Sequence, residues 1–207
     1  ASAEIHGCFF HLVQNMKKKV RELGLGKKYR DVPDFALSAK MIPALAFIPP
    51  HRLEDALQQL RQDLPDDLQP VLDYFEDYYV GRLQVQGDGS FTRRAAPFPV
   101  SMWTVYQRTL QGDSRTNNYA EASHRSLQSL FRVERPDLLK FIDGLRLNQH
   151  TKDAAVERYI AGHDDVPGKR NEDVENDKRI LRILSRIDNQ ALLLTLRGLA
   201  HTYEMNP

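Results

Sequence analysis

The chain has 207 residues, 41% of them hydrophobic, with 29 basic and 28 acidic side chains and a net charge of +1. That is enough apolar content to bury a core, and the balanced charge excludes a global polyanion-binding signature. The single cysteine, Cys8, excludes an internal disulfide framework and fits a reducing compartment; no apolar run approaches the roughly 18 residues that span a membrane, and Ala1-Ser2-Ala3-Glu4 does not resemble a signal peptide.

The balance conceals segregation. From Lys17 to Arg30 seven basic residues face one acid, Glu22, and from Glu54 to Asp77 eight acids face one base, Arg61. Bases dominate again from Arg93 to Arg135.

Ile5 to Phe10 reads as a short buried strand and His11 to Leu23 as a helix, with Leu12, Met16, Val20 and Leu23 as its apolar stripe and Gly24 and Gly26 as its stop. Residues 33–48 read as a largely apolar helix closed by Pro49-Pro50. The segment from His51 to Leu64 is amphipathic, with Leu53, Ala56, Leu57, Leu60 and Leu64 on one stripe, and Leu68, Val71, Leu72, Phe75 and Tyr79 repeat the spacing. The acidic block on these two helices reads as a solvated face.

Leu83 to Thr92 is either a small hairpin around Gly87-Asp88-Gly89 or a loop ending at Arg93-Arg94 and Pro97. Val100, Trp103, Tyr106 and Leu110 mark a helix, in which Trp103 is a core residue by its spacing. After Pro136, Leu138, Ile142, Leu145 and Gln149 lie along one helical line; residues 163–175 read as an exposed charged connector. Ile180, Leu181, Leu184 and Ile187 form another stripe, and a last helix is predicted over 190–203. No internal repeat is present. The fold class expected is mainly α (an α+β fragment), with one or two short strands and a helical bundle.

Between these elements, Arg115-Thr116-Asn117-Asn118-Tyr119-Ala120-Glu121-Ala122-Ser123-His124-Arg125 reads as a helix start. With Asn118 as N-cap, Glu121 falls at the third helical position and completes a capping box. Glu121, His124 and Arg125 also share a helix face, an arrangement equally suited to handling a phosphate. Both readings stay open on the residues alone. Cys8 and His11 have CxxH spacing, but a structural zinc site needs four ligands and no second cysteine exists. No Gly-rich phosphate loop, nucleophile elbow or HExxH helix is present.

The marks occur in a particular order. Gly7-Cys8-Phe9-Phe10-His11-Leu12 opens onto a basic helix. Asp73-Tyr74-Phe75-Glu76-Asp77-Tyr78-Tyr79-Val80-Gly81, Phe98-Pro99-Val100-Ser101-Met102-Trp103-Thr104-Val105-Tyr106, the Thr116-Asn117-Asn118-Tyr119-Ala120-Glu121 stretch and Phe141-Ile142-Asp143-Gly144-Leu145 follow. Together they resemble the C-terminal part of the transposase of Mutator-like elements (MULE), over nearly the whole chain. The motifs are weak singly and fairly specific in their order.

The resemblance implies an RNase H-like core with an Asp-Asp-Glu (DDE) set on divalent metal, Mg or Mn, interrupted by a helical insertion. Residues 1–30 would be a strand plus basic helix left from that core, and 31–112 the insertion with a loop or hairpin at 83–97. Residues 113–163 would carry Glu121 and a long following helix, and 164–207 a connector and C-terminal helices. Glu121 matches the last catalytic carboxylate and metal ligand; Cys8, His11, Asn117, Asn118 and His124 are its motif companions. DNA contacts are expected from Lys17, Lys18, Lys19, Arg21, Lys27, Lys28, Arg93, Arg94, Arg115 and Arg125.

The family's first two aspartates lie upstream of the CxxH element, and only seven residues precede Cys8 here. The expectation is therefore a fragment, inactive and metal-free by itself, with DNA and the missing N-terminal part of the same protein as partners. A homo-oligomer is an open alternative, no membrane is involved, and the setting is nuclear or otherwise intracellular. The alternative reading is a domesticated, non-catalytic DNA-binding or helical interaction module.

Overall fold

The computed structural model describes residues 5–87, 89–131, 135–163 and 170–205. The chain is mainly helical, with one pair of antiparallel strands among the described residues. It divides into two compact units, residues 1–116 with 174–207, and residues 117–173.

The first unit is built around a largely apolar helix. Helix α1 (Phe9–Glu22) and the short α2 (Gly26–Asp31) lead into α3 (Pro33–Ala44). Pro33 stands in the first turn, where its missing N–H costs nothing. Phe35, Ala39, Met41, Ile42 and Ala44 are all buried, and the chain continues inward through a 3-10 turn at Leu45–Phe47 to Ile48. Helices α4 (Leu53–Asp63) and α5 (Gln69–Phe75) follow, α5 running on into one π turn over Glu76–Val80. Near the C-terminus α10 (Asn171–Leu184) and α11 (Leu192–Ala200) complete the set, α11 packing on α3 and α4 while α1 packs on α3 and α5. Complete burial of Phe47, Phe75, Met16 and Met41 stabilises this unit by about 1.5–3 kcal/mol for each side chain.

The predicted strand at Ile5–Phe10 does not form. Phe9 already belongs to α1, and Gly7 donates a single backbone bond to Met102 O (2.6 Å). A strand needs a neighbour to pair its backbone groups, and none lies beside this segment among the described residues. Phe9 instead joins Leu12, Val13, Met16 and Val20 in the core, while Leu23 is exposed. Gly24, at φ +73°, ends α1 in a Schellman turn: Gly24 N–H donates to Arg21 O and Leu25 N–H to Val20 O. Gly26 opens α2 rather than stopping α1.

The hairpin alternative is the one that forms. β1 (Leu83–Val85) pairs with β2 (Phe91–Arg93), Leu83 opposite Arg93 and Val85 opposite Phe91. Asp88, at the centre of its predicted turn, lies outside the described residues. Gly81 enters the hairpin at φ +89°, and a Cβ there would lie 1.7 Å from Arg94 O, so only glycine fits.

The predicted helix over Val100–Leu110 is two, α6 (Val100–Trp103) and α7 (Tyr106–Leu110). Thr104 is extended between them, and Val105, fully buried, donates to Ala46 O (2.8 Å). Trp103 is buried, as its spacing predicted. Its ring meets Phe75 edge-on at 5.2 Å and its Nε1–H donates to Tyr79 O (2.6 Å).

The second unit holds α8 (Asn118–Phe131) and α9 (Leu138–Ile160). Asp137 caps α9 by accepting from Lys140 N–H (2.9 Å). Phe131 stacks on Phe141 at 5.4 Å and covers Gly144, where a Cβ would come within 2.4 Å of the Phe131 ring. Lys152 donates to Ser123 Oγ (3.4 Å). Neither helix has a buried residue. Residues 164–169 of the predicted connector lie outside the described residues, and its end is helical, because α10 starts at Asn171. The last helix, α11, is shorter than the predicted 190–203.

Candidate DNA-facing and metal-facing residues

Glu121 sits in the first turn of α8, half-buried. Its N–H donates to Asn117 O (3.0 Å), so Asn117 rather than Asn118 supplies the first helical carbonyl. The helix thus starts one residue early, and Glu121 stands at the fourth helical position instead of the third. That removes the predicted capping box, whose glutamate must reach back from the third position. No described residue ion-pairs with the Glu121 carboxylate or donates a hydrogen bond to it. His124 and Arg125 follow one turn on, both exposed.

Among the described residues no three His, Cys, Asp or Glu side chains gather at a point where a metal ion would be held. A pair of divalent ions for phosphoryl transfer needs several converging carboxylates. By itself this donor set does not fit such a pair, and Glu121 offers it one ligand.

The CxxH pair lies on the first turn of α1 in the other unit. Cys8, half-buried, precedes the helix, and exposed His11 turns its ring against Phe10 at 5.6 Å. Cys8 and His11 border a small cavity of about 130 Å³ with Asn15, Tyr79, Phe98 and Trp103. Asn15 Nδ2 donates to the Tyr79 hydroxyl there (2.7 Å). Burial holds that phenol above its usual pKa, against the lowering effect of the Asn15 bond.

The ten predicted DNA-binding cations fall into two groups. Four are occupied by carboxylates. Lys18 pairs loosely with Glu22 (3.8 Å), and Lys28 binds Asp67 while its ammonium lies 4.8 Å from the centre of the Phe35 ring. Arg93 is gripped by Glu54 (2.7 Å) and lies 4.0 Å from Glu76, and its guanidinium also donates to Gly81 O. Arg115 pairs with Asp177 and lies 6.0 Å from the centre of the Phe47 ring. Lys17, Lys19, Arg21, Lys27, Arg94 and Arg125 have no carboxylate partner among the described residues; Lys19 instead sits 5.3 Å from the Tyr74 ring centre.

Arg61, the one base within the acidic block, is the hub of that block. It binds Asp73 (2.9 Å) and Glu76 (3.1 Å). Burial pulls its pKa down, but hydrogen bonds to Glu76 and Asp73 outweigh that and raise it.

Two features had no motif to announce them. An open groove of about 610 Å³ is lined by Lys18, Lys19, Tyr74, Tyr78, Asp77 and Arg82. Its only sequence signal is the i, i+4 spacing of Tyr74 and Tyr78, whose rings lie 4.6 Å apart. Arg108 donates to Gly7 O (2.9 Å) and Ser114 O (3.3 Å), while its buried Nε has no hydrogen-bond partner. Burial is the main cause lowering its pKa.

No protein-family model, curated protein or solved structure matches this chain.

Proposed function

We propose that this chain is the helical insertion and C-terminal part of a MULE-type DDE DNA transposase, a DNA-binding segment that supplies the last catalytic carboxylate. What carries the reading is Glu121: a half-buried carboxylate at a helix start, engaged by no described residue and released from the capping role that would otherwise account for it. The order of its motifs, from Gly7-Cys8-Phe9-Phe10-His11 to Phe141-Ile142-Asp143-Gly144-Leu145, supports the same descent. In this reading the complete enzyme, in a nucleus, cleaves and joins DNA strands with Mg or Mn, and the RNase H-like fold belongs to that whole.

Within this chain the residues do more limited work. Glu121 holds a negative charge ready at the positive end of α8, where the helix dipole favours it. In the first unit Lys17, Arg21, Lys27 and Arg94 meet backbone phosphates, and in the second Arg125 does so on its own account, which positions DNA without reading its sequence. Catalysis requires two further carboxylates, so the chain alone binds and does not cut.

Two measurements test this. The chain should retard duplex DNA at low salt, and the four phosphate contacts of the first unit correspond to a log–log salt slope of about −3.6. Replacing Lys17, Arg21 and Lys27 with alanine should flatten that slope by about 3, since each contact contributes roughly −0.9. Absence of retardation at 20 mM salt would count against the DNA-binding half of the proposal. For the other half, a longer protein carrying two strand-borne aspartates ahead of residue 1 should cleave DNA with Mg or Mn. Glu121→Gln should abolish that cleavage; equal activity of the mutant refutes the assignment of Glu121.

A second reading, a non-catalytic helical interaction module, is favoured by one observation. Both helices of the second unit leave large apolar residues in solvent, Tyr119 at 84% exposure and Leu139 at 74%.

A further inference from the structure

We infer that α9 is a self-pairing surface: two copies of this chain associate through an antiparallel α9–α9 contact. The inference does not rest on the transposase reading.

A 23-residue helix is about 35 Å long, and α9 carries one seam along nearly all of it. Leu138, Ile142, Leu145, Gln149, Val156 and Tyr159 recur at alternating four- and three-residue steps once Lys152 takes the place between Gln149 and Val156. That is a heptad pattern, the spacing that keeps one stripe facing a partner helix. Its two ends stand in solvent, while Ile142 and Leu145 in its first half are partly covered. Leu138 is 72% exposed, Val156 55% and Tyr159 64%. Phe141 and Gly144 meet α8 beside the seam, and of the seam residues themselves Lys152 touches α8, through a 3.4 Å bond to Ser123 Oγ that pairing would exchange.

The seam is complementary to its own reverse. Laid antiparallel about a two-fold axis between His150 and Thr151, Ile142 of one copy faces Tyr159 of the other, and Leu145 faces Val156. Gln149 then meets Lys152, whose ammonium finds the Gln149 amide oxygen. A two-fold contact demands this kind of reciprocity.

Charge selects the direction. Arg146 and Asp153 flank the seam on one side, and the antiparallel register sets each Arg146 beside the other copy's Asp153, twice by symmetry. A parallel register would instead set Lys152 against Lys152 and give Arg146 no acidic partner. The present contacts of these groups are local and cheap to exchange. Arg146 lies 3.8 Å from Asp143 with both side chains largely in solvent, and Asp153 accepts from Gln149 Nε2 (2.7 Å).

The area suffices. The exposed parts of the seam residues come to roughly 500 Å² on each copy, so pairing removes about 1,000 Å² in total, at the lower bound for a specific interface. A weak, concentration-dependent dimer follows.

The test is the mass of the full chain by light scattering or sedimentation across 1–200 µM, without DNA and with reductant so that Cys8 cannot cross-link. A dimer should appear over that range. Leu145→Glu and Ile142→Glu should each shift its midpoint at least 100-fold, with helical circular dichroism retained. Leu147→Glu, exposed but off the seam, should leave the midpoint unchanged. Arg146→Asp should weaken pairing about tenfold, and Arg146→Asp combined with Asp153→Arg should restore it, an arm that stands even if a seam variant misfolds. A monomer at 200 µM overturns the inference. So does a dimer indifferent to the seam variants and to the charge exchange.

Discussion

Replacing Glu121 with glutamine separates structure from function at this position. A capping-box side chain accepts from a backbone N–H, and glutamine serves there as glutamate does, so the substitution tests the charge alone. Here Glu121 stands at the fourth position of α8, its own N–H bonded to Asn117 O and its carboxylate engaged by no described residue. What remains for the charge is its attraction to the helix N-terminus, worth about 0.3–0.5 kcal/mol at a partly exposed site. Gln keeps the shape and the helix propensity, so Glu121→Gln should cost no more than about 0.5 kcal/mol. Urea unfolding followed at 222 nm resolves that bound as a small change in midpoint at constant slope. Raising salt to 0.5 M should shrink the difference further, because the term is electrostatic. A loss above 1.5 kcal/mol would show that Glu121 has a structural partner, and the claim of a carboxylate held in reserve would fall.

Three further outcomes follow from the first unit. Gly81→Ala should destabilise by more than about 3 kcal/mol, because it combines a positive φ with a Cβ 1.7 Å from Arg94 O; thermal unfolding that moves by less than 2 °C would contradict the geometry. Trp103→Phe keeps most of the packing against Phe75 but leaves Tyr79 O without its donor, a cost of about 1–3 kcal/mol readable as a lower urea midpoint. Burial, with Glu204 nearby, pushes the Tyr29 phenol up to about 12, against about 10 for a free tyrosine. The folded chain therefore keeps a proton that the unfolded chain gives up between those values. The contribution is complete below pH 10 and declines as pH rises towards 12, by about 2 kcal/mol. Tyr29→Phe should remove that part of the alkaline slope in stability measured from pH 9 to 12.

Periodicity made the helices legible and left their surroundings unstated. The stripe Leu53, Ala56, Leu57, Leu60 and Leu64 was readable because five residues at helical spacing have one sensible use, and all five are buried. The same spacing in Leu138, Ile142 and Leu145 announced an amphipathic helix equally well, yet Leu138 is 72% exposed. Apolar spacing specifies a face; what covers the face depends on the rest of the assembly. Ile5–Phe10 shows the reverse limit, since its apolar run looks like a strand until one asks which neighbour pairs with it.

Charge counting erred for a related reason, and the error bears on function. The basic segment around Arg93 and the acidic block from Glu54 to Asp77 look like opposed surfaces when each is summed along the chain. Folding joins them: Arg93 reaches Glu54, 39 positions away, and Lys28 reaches Asp67, also 39 positions away. Arg115 finds Asp177 at a separation of 62. The acidic block is thus a counter-ion for the bases rather than only a solvated face. Under the proposed DNA-binding reading, the pairs are unequal as obstacles to a phosphate. Lys18 with Glu22 and Lys28 with Asp67 are exposed and worth at most about 1 kcal/mol, so phosphate can displace them. Arg93 and Arg115 have only 19% and 20% of their side chains in solvent, and freeing either would leave a carboxylate unpaired. Arg93→Ala should therefore loosen the hairpin and leave DNA affinity nearly unchanged, whereas Lys27→Ala should do the opposite. Protease sensitivity at 82–94, compared with the salt slope of binding, distinguishes the two; an Arg93 variant that loses affinity with its hairpin intact would return that arginine to the DNA-facing set.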